Sequence, residues 1–130
     1  MAKMDEERGD VSGGPGSLAE LRATHGRALR QAVTRIREVL PSLPGVRRVS
    51  LFGSYVRGRA DLFTDLDVLV VRETDEPFVA RHRSLYRALA LPVDLDLICY
   101  TPEEFEAMRD RPFLREILGQ EVVLYEAAAR

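Results

Sequence analysis

Hydrophobic side chains change their spacing along the chain, and the change separates helices from strands. From residue 17 to residue 40 they recur every three or four positions, the spacing of an amphipathic helix. The positions concerned are Leu29, Ala32, Val33, Ile36, Val39 and Leu40. Ser17-Leu18-Ala19-Glu20 has the form of a capping box, so the helix is predicted to begin there. Pro41 and the pair Pro44-Gly45 are expected to end it.

Short apolar segments follow, and these are predicted to be strands. They are Val46–Phe52, Leu66–Val71 and Val93–Tyr100, with Glu121–Tyr125 as an edge strand near the end of the sequence. Gly53 closes the first of them.

Helical segments are predicted between and after the strands. Glu76–Ala90 is expected to be a helix whose apolar side carries Phe78, Leu85, Tyr86 and Leu89. Thr101-Pro102-Glu103-Glu104 has the form of a second capping box, with proline at the first helical position. Phe113–Leu118 is predicted to be a further short helix, and another is expected directly after Gly53-Ser54.

This order of elements predicts an α/β (α+β) fold, a small mixed sheet flanked by helices. The fold is expected to occupy residues 17–130 as one domain. Residues 1–16 contain charges followed by Ser12-Gly13-Gly14-Pro15-Gly16, and we predict that they form a disordered tail.

Composition narrows the class of protein. The 130 residues are 45% hydrophobic and 31% charged, as in an ordinary globular domain. The 19 cationic and 21 anionic side chains sum to −2, so nucleic acid is not favoured as a partner. A single cysteine, Cys99, allows neither an internal disulfide nor a cysteine-cluster zinc site. Neither a signal peptide nor an apolar run near the ~20 residues of a membrane span is found, so a cytoplasmic protein with no membrane attachment is expected.

Acidic residues occur where a purely structural strand would not carry them. Asp65 and Asp67 begin the second strand and share one face, because side chains alternate along a strand. Asp94 and Asp96 do the same in the third strand. If the two strands are neighbours, up to four carboxylates converge, and their repulsion requires a cation. Arginine could supply it, but a divalent ion such as Mg²⁺ or Mn²⁺ suits hard oxygen ligands better.

A single D-x-D at the mouth of a strand is often only a turn acid and a solvated face. The segment after the first strand strengthens the interpretation of the acids as a ligand site. Gly53 lets a backbone approach a ligand, and Ser54 adds a hydroxyl donor. The spacing from Gly53 to Gly58 imitates a P-loop, but Arg59 and Ala60 stand where that motif needs lysine and a hydroxyl.

These motifs together resemble the DNA polymerase β-type nucleotidyltransferases, and most closely their small minimal nucleotidyltransferase (MNT) members. The resemblance extends from Arg47 to Glu126 and includes Gly53-Ser54, the Asp65-Leu66-Asp67 motif after ten intervening residues and the capping segment at residue 101. It implies a polymerase β-like fold and transfer of a nucleoside monophosphate from a nucleoside triphosphate, ATP first, to a hydroxyl. Arg59 departs from the pattern, because many minimal members carry an acid there, and this bears on substrate preference.

The resemblance also implies roles for individual residues. Gly53 and Ser54 would hold nucleotide phosphates, and Arg57 stands close enough in sequence to meet them. Asp65 and Asp67 would ligate two Mg²⁺ ions, which Mn²⁺ can replace. Asp96 is preferred as the third carboxylate, which ligates one metal and activates the acceptor, and Asp94 is the second choice.

Partners follow from the same resemblance. Minimal members are often paired with a helical HEPN protein, and some act as antitoxins that adenylylate it. Because few residues follow Tyr100, help from self-association or from another chain is expected in forming the acceptor pocket. Two other readings stay open: a non-catalytic antitoxin or binding module that acts by contact, and an unrelated metal-dependent phosphodiesterase.

Overall fold

The computed structural model describes residues 16–128. Apart from Gly16, the tail predicted over residues 1–16 lies outside the described residues. Four helices are described: α1 (Leu18–Val39), α2 (Phe78–Leu89), α3 (Pro102–Met108) and α4 (Pro112–Gln120). The described strands are β1 (Val46–Phe52), β2 (Leu66–Arg72), β3 (Leu95–Tyr100) and β4 (Val122–Glu126). A 3-10 turn, Leu40–Ser42, follows α1.

Within residues 16–128 the strands form one mixed sheet in the order β3-β2-β1-β4. β1 runs antiparallel to both β2 and β4, whereas β2 and β3 are parallel and are connected through α2. The predicted mixed α/β fold, with helices flanking a small sheet, is therefore confirmed.

Helices cover both faces of the central strand β2. Leu66, Val68 and Val70 pack in one core with residues of α1 and α2, including Ile36 and Leu85. The intervening side chains point the other way and pack against α3 and α4, and these are Leu69 and Val71 together with Phe105, Leu114 and Ile117. Because both faces are covered, β2 is apolar throughout except at its two ends.

The predicted helix starts are confirmed at both capping segments. The Ser17 hydroxyl accepts a hydrogen bond from the Glu20 backbone N–H at 3.1 Å and opens α1. At α3 the Thr101 hydroxyl accepts from the Glu104 N–H at 3.2 Å, and the Glu104 carboxylate accepts from the Thr101 N–H at 2.9 Å. Each side chain therefore satisfies a backbone donor that the first helical turn leaves free.

Three local predictions are wrong. No helix forms after Gly53-Ser54; residues 54–58 are a hydrogen-bonded turn. β3 begins at Leu95 rather than at Val93. Phe78 and Tyr86, predicted on the apolar side of α2, are 50% and 39% exposed, while Leu85 and Leu89 are fully buried. The periodicity identified the helix. It could not show that Phe78 and Tyr86 lie on a side of the helix that faces solvent and the edge of the sheet.

No helix among the described residues is both long enough and apolar enough to cross a membrane.

Candidate active site

The strand directions bring three chain segments to one edge of the sheet. Because β1 is antiparallel to β2 and β3, its end lies beside the starts of the other two strands. The pairing register runs from Phe52 at the end of β1 to Asp67 in β2, and from Asp67 to Asp96 in β3. Paired residues on neighbouring strands lie ~5 Å apart in the sheet. Two of the predicted acids are therefore direct neighbours across the sheet.

The charges at this edge act on one another. Burial raises the pKa of Asp67, and the negative charges of Asp96 and Asp65 raise it further, while Arg57 opposes the shift. Asp67 is thus the half-buried centre of an acidic group formed by Asp65, Asp67 and Asp96. Repulsion of this kind favours either a proton or a bound cation at the site.

Asp94 has a different position. It lies before β3, its side chain is exposed, and its backbone carbonyl accepts a hydrogen bond from the Leu66 N–H at 3.1 Å. It is not among the charges that raise the pKa of Asp67. This position favours Asp96 over Asp94 as the third carboxylate.

Gly53 makes room for the central carboxylate. Its φ is +82°, and a Cβ atom built on it would overlap the Asp67 carboxylate and lie 2.8 Å from Asp67 Cγ. The sequence indicated a glycine for close approach of a ligand, and the structure adds a steric reason that no local pattern reveals. Any other residue here would displace Asp67.

The turn after Gly53 is stabilised by its own backbone. Arg57 N donates to Gly53 O at 3.3 Å, Gly58 N to Tyr55 O at 3.0 Å, and Arg59 N to Ser54 O at 3.0 Å. Gly53 and Gly58 both have positive φ, so the four residues between them cannot extend into a helix. Ser54 lies at the start of this turn and is half-buried.

Arg57 connects this turn to the other side of the site. Its Nη1 atom donates to the Gln120 side chain at 2.9 Å, at the last residue of α4. Its positive charge opposes the raised pKa of Asp67, so the guanidinium lies near the acidic group. A cation held in this way can meet the phosphates of a ligand.

A second turn leads into Asp65 and was not predicted as functional. The Asp61 carboxylate accepts from Phe63 N at 2.9 Å and from the Thr64 hydroxyl at 3.1 Å. Arg59 forms a two-pronged ion pair with Asp61, and the hydrogen bond from Arg59 is the first cause that lowers the pKa of Asp61 to about 2. His25 of α1 lies 3.1 Å from the buried Thr64 carbonyl oxygen. The contact from α1, 39 residues away, has no signal in the sequence.

A cavity of about 320 Å³ opens beside the acids. Asp67 and Asp96 form part of its wall, and the other lining residues are Phe52, Tyr86, Leu97, Ile98 and Phe113. It therefore combines apolar and aromatic walls with two carboxylates, as many small-molecule sites do. Tyr86 and Phe113 were not predicted as site residues.

The donor chemistry of the acidic group fits a hard divalent cation. Within residues 16–128 no three His, Cys, Asp or Glu side chains stand close enough to hold one ion. Mg²⁺ is usually bound by one or two carboxylates together with substrate phosphates, and it keeps several waters. Asp67 and Asp96 supply such carboxylates beside the Gly53 turn, so the residues fit a metal that a phosphate ligand completes.

One known structure supports the fold, and two others resemble the chain more weakly. A Sulfolobus solfataricus protein assigned as a nucleotidyltransferase superposes with a TM-score of 0.50 at 20% identity, covering 88% of this chain and 92% of its own. A protein assigned as a minimal nucleotidyltransferase gives a TM-score of 0.41 at 24% identity, covering 85% and 98%. A chain of the tri-AMPylated Shewanella oneidensis HEPN toxin in complex with MNT antitoxin gives 0.39 at 18%, covering 82% and 73%. A search of curated proteins finds no match.

The sequence comparison covers most of the fold described above. Residues 33–128, from the middle of α1 to the end of the described chain, match the nucleotidyltransferase domain family. The matched range contains the Gly53 turn and all three acids of the group. The predicted resemblance is therefore confirmed, and this chain belongs to the nucleotidyltransferase domain family.

Proposed function

We propose that the chain is a Mg²⁺-dependent nucleotidyltransferase that moves a nucleoside monophosphate from a nucleoside triphosphate, with ATP as the first candidate, to a hydroxyl of a protein or other acceptor. One observation carries the proposal: Asp67 and Asp96 are paired in register on parallel strands beside the Gly53 turn. Charge on Asp65 and Asp96 disfavours ionisation of Asp67, as expected where a cation is to bind.

The Gly53 turn would bind the triphosphate. Ser54 offers a hydroxyl donor, and the missing side chain of Gly53 lets the turn approach a ligand. Arg57 is held near the acids by Gln120 and would donate to phosphate oxygens through its planar guanidinium. These groups orient the α-phosphate toward the acids.

Asp65, Asp67 and Asp96 would hold two Mg²⁺ ions between them, and phosphate oxygens and water would complete the coordination, so that no ion needs all three acids. When bound, Mg²⁺ neutralises phosphate charge and lowers the pKa of an attacking hydroxyl. Without it, the three carboxylates would repel the triphosphate. Nucleotide binding is therefore expected to depend on the cation.

The acceptor would enter from the β3 side. Asp96 is exposed and lines the cavity on the side of Asp67 away from the Gly53 turn. Its carboxylate would accept the hydroxyl proton as the acceptor oxygen bonds to the α-phosphorus. The bond from that phosphorus to the bridging oxygen breaks, and pyrophosphate leaves.

Transfer of label from each of the four α-labelled nucleoside triphosphates, with Mg²⁺ and with or without a HEPN-type partner, tests the proposal. Asp67→Asn should lower transfer at least ~100-fold, by analogy with losing a group that stabilises transition-state charge. Asp94→Asn is the matched control and should retain activity. Full Mg²⁺-dependent transfer by Asp67→Asn would exclude the proposed site.

A contact module is the second candidate, as a non-catalytic antitoxin or binding protein. Such a module would keep the fold and neutralise its partner by contact. Titration separates the two candidates, because the enzyme should bind Mg²⁺ and nucleotide together, whereas a contact module need bind neither. The proposed HEPN-type partner is common to both candidates and rests on the family resemblance.

A further inference from the structure

Tyr86 bonds the backbone on both sides of Asp96. Its hydroxyl donates to the Leu95 carbonyl at 3.0 Å and accepts from the Leu97 N–H at 2.9 Å. Asp96 is the residue between them. A tyrosine hydroxyl with one donor and one acceptor bond is used to its ordinary capacity.

These bonds close the free edge of the sheet. In residues 16–128 β3 pairs only with β2, so the backbone groups of alternate β3 residues face away from the sheet. The Leu95 carbonyl and the Leu97 N–H point outward to Tyr86, so the backbone groups of Asp96, the residue between them, face β2. The peptide units around Asp96 are thus fixed from two directions.

We propose that Tyr86 is a positioning residue for Asp96, the carboxylate that would ligate metal and accept the acceptor proton; this rests on the proposed function. Asp96 is exposed, so few side-chain contacts restrain it. The hydroxyl of Tyr86 fixes the strand from which Asp96 projects into the shared cavity, which Tyr86 also lines. Groups of this kind orient metal ligands without touching the metal.

His82 provides a matched control on the same helix. One turn before Tyr86, its Nε2 atom accepts from the Cys99 N–H at 3.0 Å, and its Nδ1 atom lies 2.7 Å from the Phe78 carbonyl oxygen. It therefore bonds the same edge of the same strand, three residues beyond Asp96. Both residues bond the unpaired edge of β3, but only Tyr86 bonds the residues on either side of Asp96.

The experiment compares Tyr86→Phe with His82→Phe in the full chain. Each variant keeps a ring and removes the polar atom that bonds β3. Amide hydrogen exchange should speed up several-fold at Leu97 in the first variant and at Cys99 in the second. Unchanged exchange at Leu97 would show that the bond is not made, and the proposal would be wrong.

Function is then read from two further measurements. Tyr86→Phe should lower kcat by about 10-fold. The nucleotide KM should stay within about twofold, because the Gly53 turn, which would bind the phosphates, is unchanged. His82→Phe should keep wild-type kcat. Equal losses in the two variants, or no loss in either, would overturn the positioning role.

Binding of Mn²⁺ alone distinguishes the two proposals. Titration with Mn²⁺ should broaden the signals of Asp67 and Asp96 in the wild type, and the concentration that gives half of this effect should rise several-fold in Tyr86→Phe and stay unchanged in His82→Phe. An equal half-effect concentration in the wild type and in Tyr86→Phe would overturn the role of Tyr86. A wild type that binds Mn²⁺ at these acids but transfers no nucleotide contradicts the proposed function and leaves the positioning result valid.

Discussion

Gly53 and Asp67 share a space that a single methyl group would fill. The left-handed φ of +82° at Gly53 and the position of the Asp67 carboxylate each disfavour a side chain, for independent reasons. At the residue scale, the candidate site depends on the absence of a Cβ atom at Gly53 as much as on the acids. Two other glycines allow the two effects to be separated.

Gly53→Ala should destabilise the protein by about 2–3 kcal/mol, since backbone strain adds to displacement of Asp67. Urea unfolding followed by circular dichroism measures the change. The variant should also lose Mg²⁺-dependent nucleotide binding, because Asp67 can no longer occupy its native position.

Gly58→Ala and Gly119→Ala are the controls. Gly58 has a φ of +96° and open space around it, so only strain of about 1–2 kcal/mol is expected there. Gly119 lies in α4 with open space, and alanine there should stabilise the fold by about 0.5–1 kcal/mol. Equal effects at positions 53 and 58 would contradict overlap with Asp67.

Asp67→Asn should stabilise the empty protein at neutral pH. Burial and the charges of Asp96 and Asp65 raise the pKa of Asp67 above its ordinary value of 3.8. A raised folded-state pKa means that stability is full below pH 3.8 and is lost as the pH rises through the folded-state value. Asparagine avoids this loss, so its advantage should be present at pH 7 and absent near pH 3.

Melting temperatures across this pH range check the prediction. Asp94→Asn is the control, because Asp94 is exposed and lies apart from the acidic group. If Asp67→Asn were less stable than the wild type at pH 7, Asp67 would be a structural carboxylate rather than a strained site residue.

Three elements meet at the ion pair of Arg81 and Glu104. Arg81 of α2 is buried and donates to the Glu104 carboxylate at 2.6 Å and to the Cys99 carbonyl of β3 at 3.3 Å. The same carboxylate completes the capping box of α3. At the scale of elements, one ion pair therefore holds α2, β3 and the start of α3 together.

Glu104→Ala should destabilise the fold by about 2 kcal/mol, because it leaves a buried guanidinium without its counter-ion and removes a cap. This value is below that for a fully buried pair, since the Glu104 side chain is 42% exposed. Denaturant unfolding at pH 7 measures it. Glu103→Ala, in the same helical turn but exposed, should change stability by less than about 0.5 kcal/mol.

The same pair determines a response to acid. The hydrogen bond from Arg81 is the first cause that lowers the pKa of Glu104 below its ordinary value of 4.5. Its contribution is therefore present above pH 4.5 and disappears as the pH falls through the lower folded-state value. The stability difference between wild type and Glu104→Ala should shrink as the pH falls below 4.5. A constant difference would contradict the ion pair.

The site belongs to the molecule as a whole, since no element contains it. The end of β1 and the starts of β2 and β3 form it, and α4 adds Gln120 and Phe113. Three acids at one edge disfavour an anionic ligand unless a cation accompanies it. Nucleotide and metal should therefore stabilise the fold together.

Adding ATP with Mg²⁺ should raise the unfolding free energy by about 2.7 kcal/mol at one hundred times the dissociation constant. ATP with EDTA should give little stabilisation, and Mg²⁺ alone should give less than the combination. Differential scanning fluorimetry measures all three. Equal stabilisation by ATP with and without the metal would contradict a shared site.

The local sequence pattern was sufficient to predict much of the secondary structure and several candidate site residues. The periodicity of apolar residues identified the four strands and the long first helix, and the capping segments at Ser17 and Thr101 marked helix starts. It also predicted that Asp65 and Asp67 share one face, because alternation along a strand is a local property. The resemblance to the family likewise rested on the order and spacing of motifs.

Tertiary structure decided what those residues meet. The pairing of Asp67 with Asp96, the space left by Gly53 and the bonds of Tyr86 to β3 join segments that are separated in sequence. Apolar periodicity reports which side of an element is buried but not which neighbour covers it. Strand order and register fixed these contacts, because they depend on the packing of the whole chain rather than on any one segment.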